Sequence, residues 1–560
     1  MLGRQNGWKR AISGHSKALL VVACVALFLA MQGGAPFYHP DSLIPRAEKT
    51  LANKGNPEFF NYPALMIYLN GAVYWFHDFI SKAISGESSD PWPYSDFPGQ
   101  LLTAVFSLIG ALSVYGTGYL LTRSKSYALA AALLLVTAPL WNADSHYITV
   151  DIPVAALCAL TLFALVYVIK SKDSIKPGHI AVLGIATGLA ASAKYNGAMV
   201  ASSVIAALWA RLGSWFHKIG IPALFVAISV VAFLIVNPFV LIEFDAFKRD
   251  FMYEANHATQ GQMGFTVDTA YYHLTVSLRS GWGTLLTVLS GLGAMMLLMT
   301  RKEHLYTKLA VLIFPLLHLV VLYRTRLSFD RYALPVIPFL AILAMYAVFD
   351  LGRYARIHLV SYQSRIVNLL LILLLTTAGG MNLYQSERHN IILGRRDTRD
   401  FLQEAFKQNG HLMESRTVYA GKYARLSLRG LVDLAELRGS SKYGILIVDS
   451  FSFDRHIYDE RTVPRFDFSG FSQAEVVTIS PYYAEKERVP FSPKSIYSPY
   501  APDLRFRTRP GPYIEIYFRD TSLGRHFYQF LSSKGVRVMR SEARQGYYYK
   551  RFSRTVTALH

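Results

Sequence analysis

The chain has 560 residues, of which 52% are apolar by the AVILMFWYC set and 17% charged, a composition too apolar for an ordinary soluble enzyme of this size. The class it points to is a polytopic membrane protein. A formal net charge of +20 is accounted for by basic membrane-proximal loops, so nucleic acid is not needed as a partner.

Taken in chain order, runs of about 20 apolar residues, the length that crosses a hydrocarbon core of roughly 30 Å, predict about eleven spans. They lie at 17–36, 98–122, 126–142, 150–170, 178–194, 197–212, 219–241, 280–300, 305–323, 332–350 and 366–384. Arg4, Lys9, Arg10 and Lys17 precede the first span and place the amino terminus in the cytoplasm. The apolar stretch outruns a signal peptide and lacks a small-residue cleavage pattern, so it reads as a retained span. Counted forward, the expected cytoplasmic loops at 122–126, 170–179, 211–218, 301–308 and 351–365 are all basic. The same count puts Asp41, the loops at 143–149, 195–196, 242–279 and 324–331, and everything after 384 outside. Cys24 and Cys158 both fall in predicted spans, which leaves neither a disulfide framework nor a thiol metal site.

Between the first two spans lies an outer insertion, about 38–97. "DSLIPRAEKTLANKG" carries an early Pro45 and a terminal Gly55, the pattern of a short helix. The stretch after it has Tyr68, Tyr74, Trp75, Phe76 and Phe79, as an interfacial helix on the outer leaflet would. The second long loop, 242–274, reads as a cover without regular structure. In the tail, helices are predicted near 397–408 and 522–534, and strands near 416–420, 443–449, 474–479, 513–518 and 536–541. That alternation predicts a small extracytoplasmic α/β domain over 385–560, beside a transmembrane domain over 1–384. The Pro-, Tyr- and Arg-rich segment at 481–512 is read as a long loop.

Candidate chemistry therefore sits at the outer membrane face. Asp41 follows the first span and Asp151 opens the fourth. Either has a plain structural explanation: Asp151 lies in a first helical turn beside Pro153, where the helix dipole favours a carboxylate, and Asp41 could cap the helix that Pro45 helps begin. Lys194, Lys248, Arg249, Arg279, Arg324, Arg326 and Arg331 stand at or near outer ends of spans, where topology does not ask for cations. Snorkelling to the interface is the ordinary use of such residues; holding an anionic ligand is the functional one.

"YHPD", "NPEFFNYPALMIYL", "SHYITVDIP", "GLAASAKYNG", "NPFVLIEFDAF" and "RYALPVIPFLAILA" occur in this order over residues 15–350. Together they resemble the lipid-linked-sugar glycosyltransferases of the membrane GT-C superfamily, the group of the protein O-mannosyltransferases and the lipid A aminoarabinose transferase. The tail matches that group only in being extracytoplasmic. The resemblance implies a GT-C fold and transfer of a hexosyl or pentosyl group from a polyprenyl-phosphate donor, by a protein of the bacterial inner membrane. It also implies paired acids in the first outer loop, whereas here Asp41 is followed by Ser42, with Glu48 one or two helical turns away.

Such an enzyme needs a general base outside the membrane and a cationic hold on the lipid phosphate. Asp41 is the expected base of a single inverting displacement. Lys194 and Arg331, then Arg324 and Arg326, are expected to stabilise the leaving phosphate. Asp151, Tyr195, Tyr62, His257, Tyr332 and Glu48 are expected to contact or position substrate. The sequence has no Gly-rich phosphate loop and no Asp-x-Asp in a soluble domain, so no nucleotide cofactor is expected. His39, Asp41, His146, Asp151 and His257 all face outward, but they form no compact metal-ligand spacing and a divalent metal is not favoured. The acceptor is an envelope lipid, polysaccharide or protein, and the sequence does not choose among them. A transporter or lipid flippase would instead place polar residues through the bilayer in repeated halves; an inactive assembly subunit is the other alternative, which Ser42 keeps open.

Overall fold

The computed structural model describes residues 2–33, 39, 41–85, 97–171, 174–260, 269–326, 329–412, 416–421, 424, 426, 431–433, 444–451, 469–483 and 505–548. The chain divides into two compact units, one ending at Glu387 and the other beginning at Arg388, with 261–266 grouped with the second.

The first unit is helical. α1 (Leu2–Met31) is followed by a short amphipathic α2 (Ile44–Ala52), which buries Ile44, Ala47 and Thr50. α2 has Pro at its start and is followed by Gly55 at φ 87°, a left-handed position that suits glycine. Leu43, not Asp41, occupies the cap position, so Asp41 is free of that structural duty. α3 (Leu65–Ser85) leaves Trp75, Phe76 and Phe79 more than half exposed.

α4 (Phe97–Thr122), α5 (Lys125–Thr137), α6 (Pro139–Asp144), α7 (Asp151–Lys170) and α8 (Pro177–Ala193) follow, then α9 (Ala201–Arg211), α10 (Trp215–Val236), α11 (Phe239–Ile242) and α12 (Phe244–Gln260). α13 (Thr269–Tyr272) runs through a π-helical stretch, His273–Gly283, into α14 (Thr284–Met299). α15 (Leu305–Arg324), α16 (Ile337–His358) and α17 (Ser361–Leu393) follow, the last of them continuing past Glu387. Among the described residues, eight helical segments are long and apolar enough to cross a membrane. The chain is a multi-pass membrane protein. The other three expected spans coincide with α5, α8 and α9, which at 13, 17 and 11 residues are short because the backbone breaks at Ala138, at Lys194 and through the 3₁₀ turn Tyr195–Val200.

The segment 242–274 differs from the irregular cover expected of it. Residues 244–260 form α12, since the stretch has no Gly or Pro and spaces Phe247, Asp250, Phe251 and Glu254 at helical intervals toward one face. Residues 261–268 of that segment lie outside the described residues.

The core of this unit is built mainly from a large apolar cluster around Trp141, Trp282, Phe225, Phe314 and Phe339, with a smaller one joining α1, α4 and α5 around Val22, Tyr115 and Val136. Lipid offers no hydrophobic gain for helix pairing, so close backbone approach at small residues matters. α14 packs along α16 through Gly293, where a Cβ would collide with the carbonyl of Leu343, and α8 packs on α10 where a Cβ at Gly188 would lie 2.6 Å from the Ser229 carbonyl oxygen.

The second unit contains α18 (Thr398–Gln408), β1 (Thr417–Ala420), β2 (Leu431–Asp433), β3 (Gly444–Asp449), β4 (Glu475–Ser480), β5 (Ile514–Phe518), α19 (Thr521–Ser533) and β6 (Arg537–Glu542). The strands form one sheet in the order β2-β1-β3-β5-β4-β6. β2, β1 and β3 are parallel, while β5, β4 and β6 join antiparallel. β3, β4 and β5 are buried along their whole length, which explains their near-continuous apolar sequences. Ile445 and Ile447 pack with Phe401, Phe406 and Phe527 of α18 and α19; Leu446 and Val448 pack on the other face with Val476 and Tyr517. β2 is an element the sequence reading does not contain. Most of the long loop at 481–512, residues 484–504, lies outside the described residues.

Candidate active site

Four segments far apart in sequence meet at one ionic cluster in the membrane unit. The first is the turn after α1. The Asp41 amide donates to His39 Nδ1 at 3.1 Å, Ser42 N–H donates to the His39 carbonyl at 3.1 Å, and Leu43 N–H to the Ile148 carbonyl at 3.0 Å. His39 also packs on the Tyr147 ring, with centroids 4.9 Å apart. The turn is thus pinned to the chain that leads into α7, and its His39 works as a brace.

The second contribution is Asp151, the first residue of α7, whose side chain is only 4% exposed. The third is Lys194, which stands in extended conformation (φ −156°, ψ 138°) between the end of α8 and the 3₁₀ turn Tyr195–Val200. That break is tight: a Cβ at Gly197 would run into the Ala190 carbonyl and lie 2.8 Å from Val154. The fourth is Arg331, in the 3₁₀ segment Asp330–Val336 that leads into α16. Non-helical backbone inside a membrane protein is tolerated where protein or a cavity supplies its partners, and here the breaks deliver both cations.

Lys194 Nζ donates to Asp151 Oδ1 at 2.6 Å. Arg331 Nη2 donates to Asp41 Oδ2 at 2.8 Å, and its Nε lies 3.6 Å from Asp151 Oδ2. The lysine ammonium also sits 4.7 Å from the Tyr332 ring centroid and 5.9 Å from that of Tyr62, while the Arg331 guanidinium lies 4.5 Å from the Phe329 ring. Asp41 is the most open of the four side chains at 30%, against 15% for Arg331, 14% for Lys194 and 4% for Asp151. Burial, then the Asp41 charge, push the Tyr62 hydroxyl well above its usual pKa, so Tyr62 remains a neutral donor beside the cluster.

The sequence has relatives on two measures. Residues 93–242 match the family model described as dolichyl-phosphate-mannose-protein mannosyltransferase, a stretch that contains Asp151 and Lys194. ArnT from Cupriavidus metallidurans, solved bound to undecaprenyl phosphate, superposes with a TM-score of 0.53 at 15% identity, over 79% of this chain and 94% of that one. The oligosaccharyltransferase of Archaeoglobus fulgidus in its apo form gives a TM-score of 0.54 at 11% identity, over 85% of this chain and 75% of that one. The same archaeal enzyme, AglB, in complex with an inhibitory peptide and a dolichol-phosphate, gives 0.54 at 10% identity, over 86% of this chain and 77% of that one. No curated protein sequence matches the chain.

The chain has the GT-C glycosyltransferase fold.

Within this GT-C fold the expected residues divide. Asp41, Asp151, Lys194, Arg331, Tyr62 and Tyr332 come together. Tyr195 lies beside them in a supporting role, its hydroxyl donating to the Phe60 carbonyl at 2.8 Å within a group of Phe233, Phe247 and Phe251. Glu48 is not brought in: it is exposed on α2, at the edge of the face that buries Ile44, Ala47 and Thr50. Arg324 and Arg326 are likewise exposed, at and just past the end of α15, and neither side chain enters the cluster. His257 stacks on Tyr253 of its own α12 at 5.8 Å. In each case helical phase or a short offset in the chain, invisible to a span-level reading, turns the side chain elsewhere. His146 Nδ1 is engaged with the Asn142 carbonyl at 2.8 Å, and among the described residues no group of three or more His, Cys, Asp or Glu is arranged to hold a metal.

The cluster also has neighbours that the sequence reading did not single out. Asp144 is buried at the end of α6, and burial, followed by the charge of Asp151, pushes its carboxyl well above the ordinary range. Asp330, next to Arg331, accepts from the Tyr272 hydroxyl. α12 and the residue before it strap the loop that carries Tyr62: Asp250 Oδ2 accepts from Phe60 N–H at 3.1 Å, Glu254 Oε1 from Asn61 Nδ2 at 2.7 Å, and Glu243, just ahead of α12, from the Asn56 side chain. The available signal was adjacency, since Asp144, Asp330 and Glu243 all lie in or beside the motifs that carry the family resemblance.

Proposed function

We propose that the protein is an inverting glycosyltransferase that moves a hexosyl or pentosyl group from a polyprenyl-phosphate donor to an acceptor on the outer side of the bacterial inner membrane. The observation that carries this reading is the convergence of Asp41, Asp151, Lys194 and Arg331, from segments up to 290 residues apart, into one connected ionic cluster. The match to a mannosyltransferase family over 93–242 and the fold shared with polyprenyl-phosphate-binding ArnT support it.

Asp41, the most open acid of the cluster, takes the proton as the acceptor O–H or N–H attacks the anomeric carbon. The bond from that carbon to the phosphate oxygen breaks on the opposite face, and polyprenyl phosphate departs as an anion. Arg331 has five N–H donors, of which only one bonds Asp41, and Lys194 has protons beyond the one on Asp151. Their remaining donors face the charge that develops on the leaving oxygen, where exclusion of water strengthens them. Asp151 keeps both cations in place. With Asp41 alone in the first outer loop, the reading uses no metal and no second acid there. The cytoplasmic amino terminus and extracytoplasmic tail follow from the basic loops.

Purified protein supplied with a labelled polyprenyl-phosphate sugar and crude envelope acceptor is expected to transfer label, and the Arg331→Gln protein to lose donor affinity. A sugar-bearing polyprenyl phosphate that neither binds nor stabilises the detergent-solubilised protein would sink the proposal.

A further inference from the structure

The second unit carries a cationic cluster that the transferase reading does not use. Arg395 and Arg396 follow the end of α17 and are exposed; Arg509 comes from the far side of the unit's sequence and is half-buried. The guanidinium carbons of Arg396 and Arg509 lie 4.3 and 4.9 Å from the same Phe401 ring centroid, so they stand within about 9 Å of each other. Arg395 is tied to the neighbouring backbone, its Nη1 donating to the Thr508 carbonyl at 2.9 Å. Lys534 extends the cluster through Glu404, whose carboxylate is 2.7 Å from Lys534 Nζ and 2.8 Å from Arg396 Nη2.

Of these four cations, Arg396 and Lys534 share the Glu404 carboxylate, while Arg395 and Arg509 bond backbone carbonyls. Like charges held this close repel unless something gains from them. Arg509 shows the tension. It gives one N–H to the Gly535 carbonyl at 3.3 Å, but its Nε is buried with no hydrogen-bond partner. Burial, then the charges of Arg395 and Arg396, lower its pKa. An unpaired buried guanidinium N–H costs free energy that a bound oxyanion would recover. Phe401, itself buried, lies against both guanidiniums and limits their freedom, which reduces the ordering cost of a multidentate contact.

We propose that Arg395, Arg396 and Arg509, with Lys534, form a phosphate-binding site on the second unit. Phosphate is favoured over a carboxylate because several guanidiniums can share its two charges and its oxygens accept from more than one fork. The phosphate belongs either to a lipid headgroup or to a free phosphate, and the two share this recognition chemistry. The site is independent of the transferase reading, since none of its residues belongs to the Asp41 cluster.

The test uses the full-length protein in an uncharged detergent, titrated calorimetrically with inorganic phosphate, with dihexanoyl phosphatidic acid, and with dihexanoyl phosphatidylcholine. Saturable binding is expected for the first two, weakening as salt rises. The Arg395→Gln/Arg396→Gln protein is expected to bind about tenfold or more weakly. Glu404→Gln, which frees Arg396 and Lys534, is expected to bind several-fold more tightly, a change that damage to the fold would not produce. Phosphatidic acid binding about tenfold tighter than phosphate identifies a lipid headgroup site; equal binding identifies a free-phosphate site. Affinities that are the same in wild type and both variants, tightest binding by phosphatidylcholine, or no saturable binding by phosphate or phosphatidic acid, would overturn the proposal.

Discussion

Replacing each of the two carboxylates that hold Arg331 separates chemistry from architecture. Asp41 touches one cation and is 30% exposed; Asp151 touches two and is 4% exposed. Asp41→Asn keeps the shape and loses one partly solvated charge contact, so its stability cost is about 1 kcal/mol. Its effect on rate is larger, because a positioned general base contributes about 10²- to 10⁴-fold, or about 3 to 5 kcal/mol of barrier. Asp151→Asn leaves Lys194, 14% exposed, and Arg331, 15% exposed, with a single carboxylate between them. Breaking a buried pair in this way costs about 3 kcal/mol or more. Removing the stranded charge as well, in Asp151→Asn/Lys194→Met, should return part of that loss. The assay pairs sugar transfer under saturating donor with equilibrium unfolding in mixed micelles of increasing denaturing-detergent fraction. The expected pattern is a slow, stable Asp41→Asn protein and an unstable Asp151→Asn protein partly rescued by the second change. An Asp41→Asn protein that transfers sugar at the wild-type rate, or an Asp151→Asn protein as stable as wild type, would refute the reasoning.

Other expectations follow from particular contacts. Asp144 binds its proton more tightly in the folded state, so its folded pKa lies above its unfolded one and it destabilises the protein increasingly as pH rises from the unfolded to the folded value. Asp144→Asn should therefore stabilise the protein at neutral pH, with the gain fading at acid pH; unfolding midpoints measured against pH check this. Gly293→Ala should cost about 2 kcal/mol or more and lower the detergent melting temperature, because the added methyl meets the Leu343 backbone instead of a side-chain end that could yield. In the second unit the Glu515 carboxylate accepts from the hydroxyls of Tyr513 and Tyr517 and the amides of Tyr547 and Tyr548, at 2.6 to 3.2 Å. Glu515→Ala strands these donors and should cost about 3 kcal/mol, seen as early proteolysis of the tail, while Glu515→Gln, which keeps an acceptor, should cost less.

Much of the architecture is legible in the sequence because it rests on local periodicity. Each expected span coincides with a helix, since a run of apolar residues in lipid has no other way to satisfy its backbone. In the second unit, the expected helices and five strands lie within a residue or two of those observed, since buried parallel and mixed strands write themselves as short apolar runs. β2, with only three residues, is too short to leave such a mark. The segment 242–274 reads as an irregular cover because it mixes acids, bases, His257 and a glycine-bearing stretch, whereas residues 244–260 are helical and direct Asp250 and Glu254 at the loop they hold.

The sequence by itself determined the class of protein and which acids and cations stand at the ends of spans. Only the tertiary structure decided which of those meet. Lys194 and Arg331 enter the cluster because each sits at a break before a helix, whereas Arg324 and Arg326, a few residues away, end exposed. Glu48 is excluded by one step of helical phase, and Asp144 and Asp330 join by adjacency to chosen residues. An ion pair depends on the direction of two side chains, set by helix rotation and backbone breaks across hundreds of residues, and no local pattern records that.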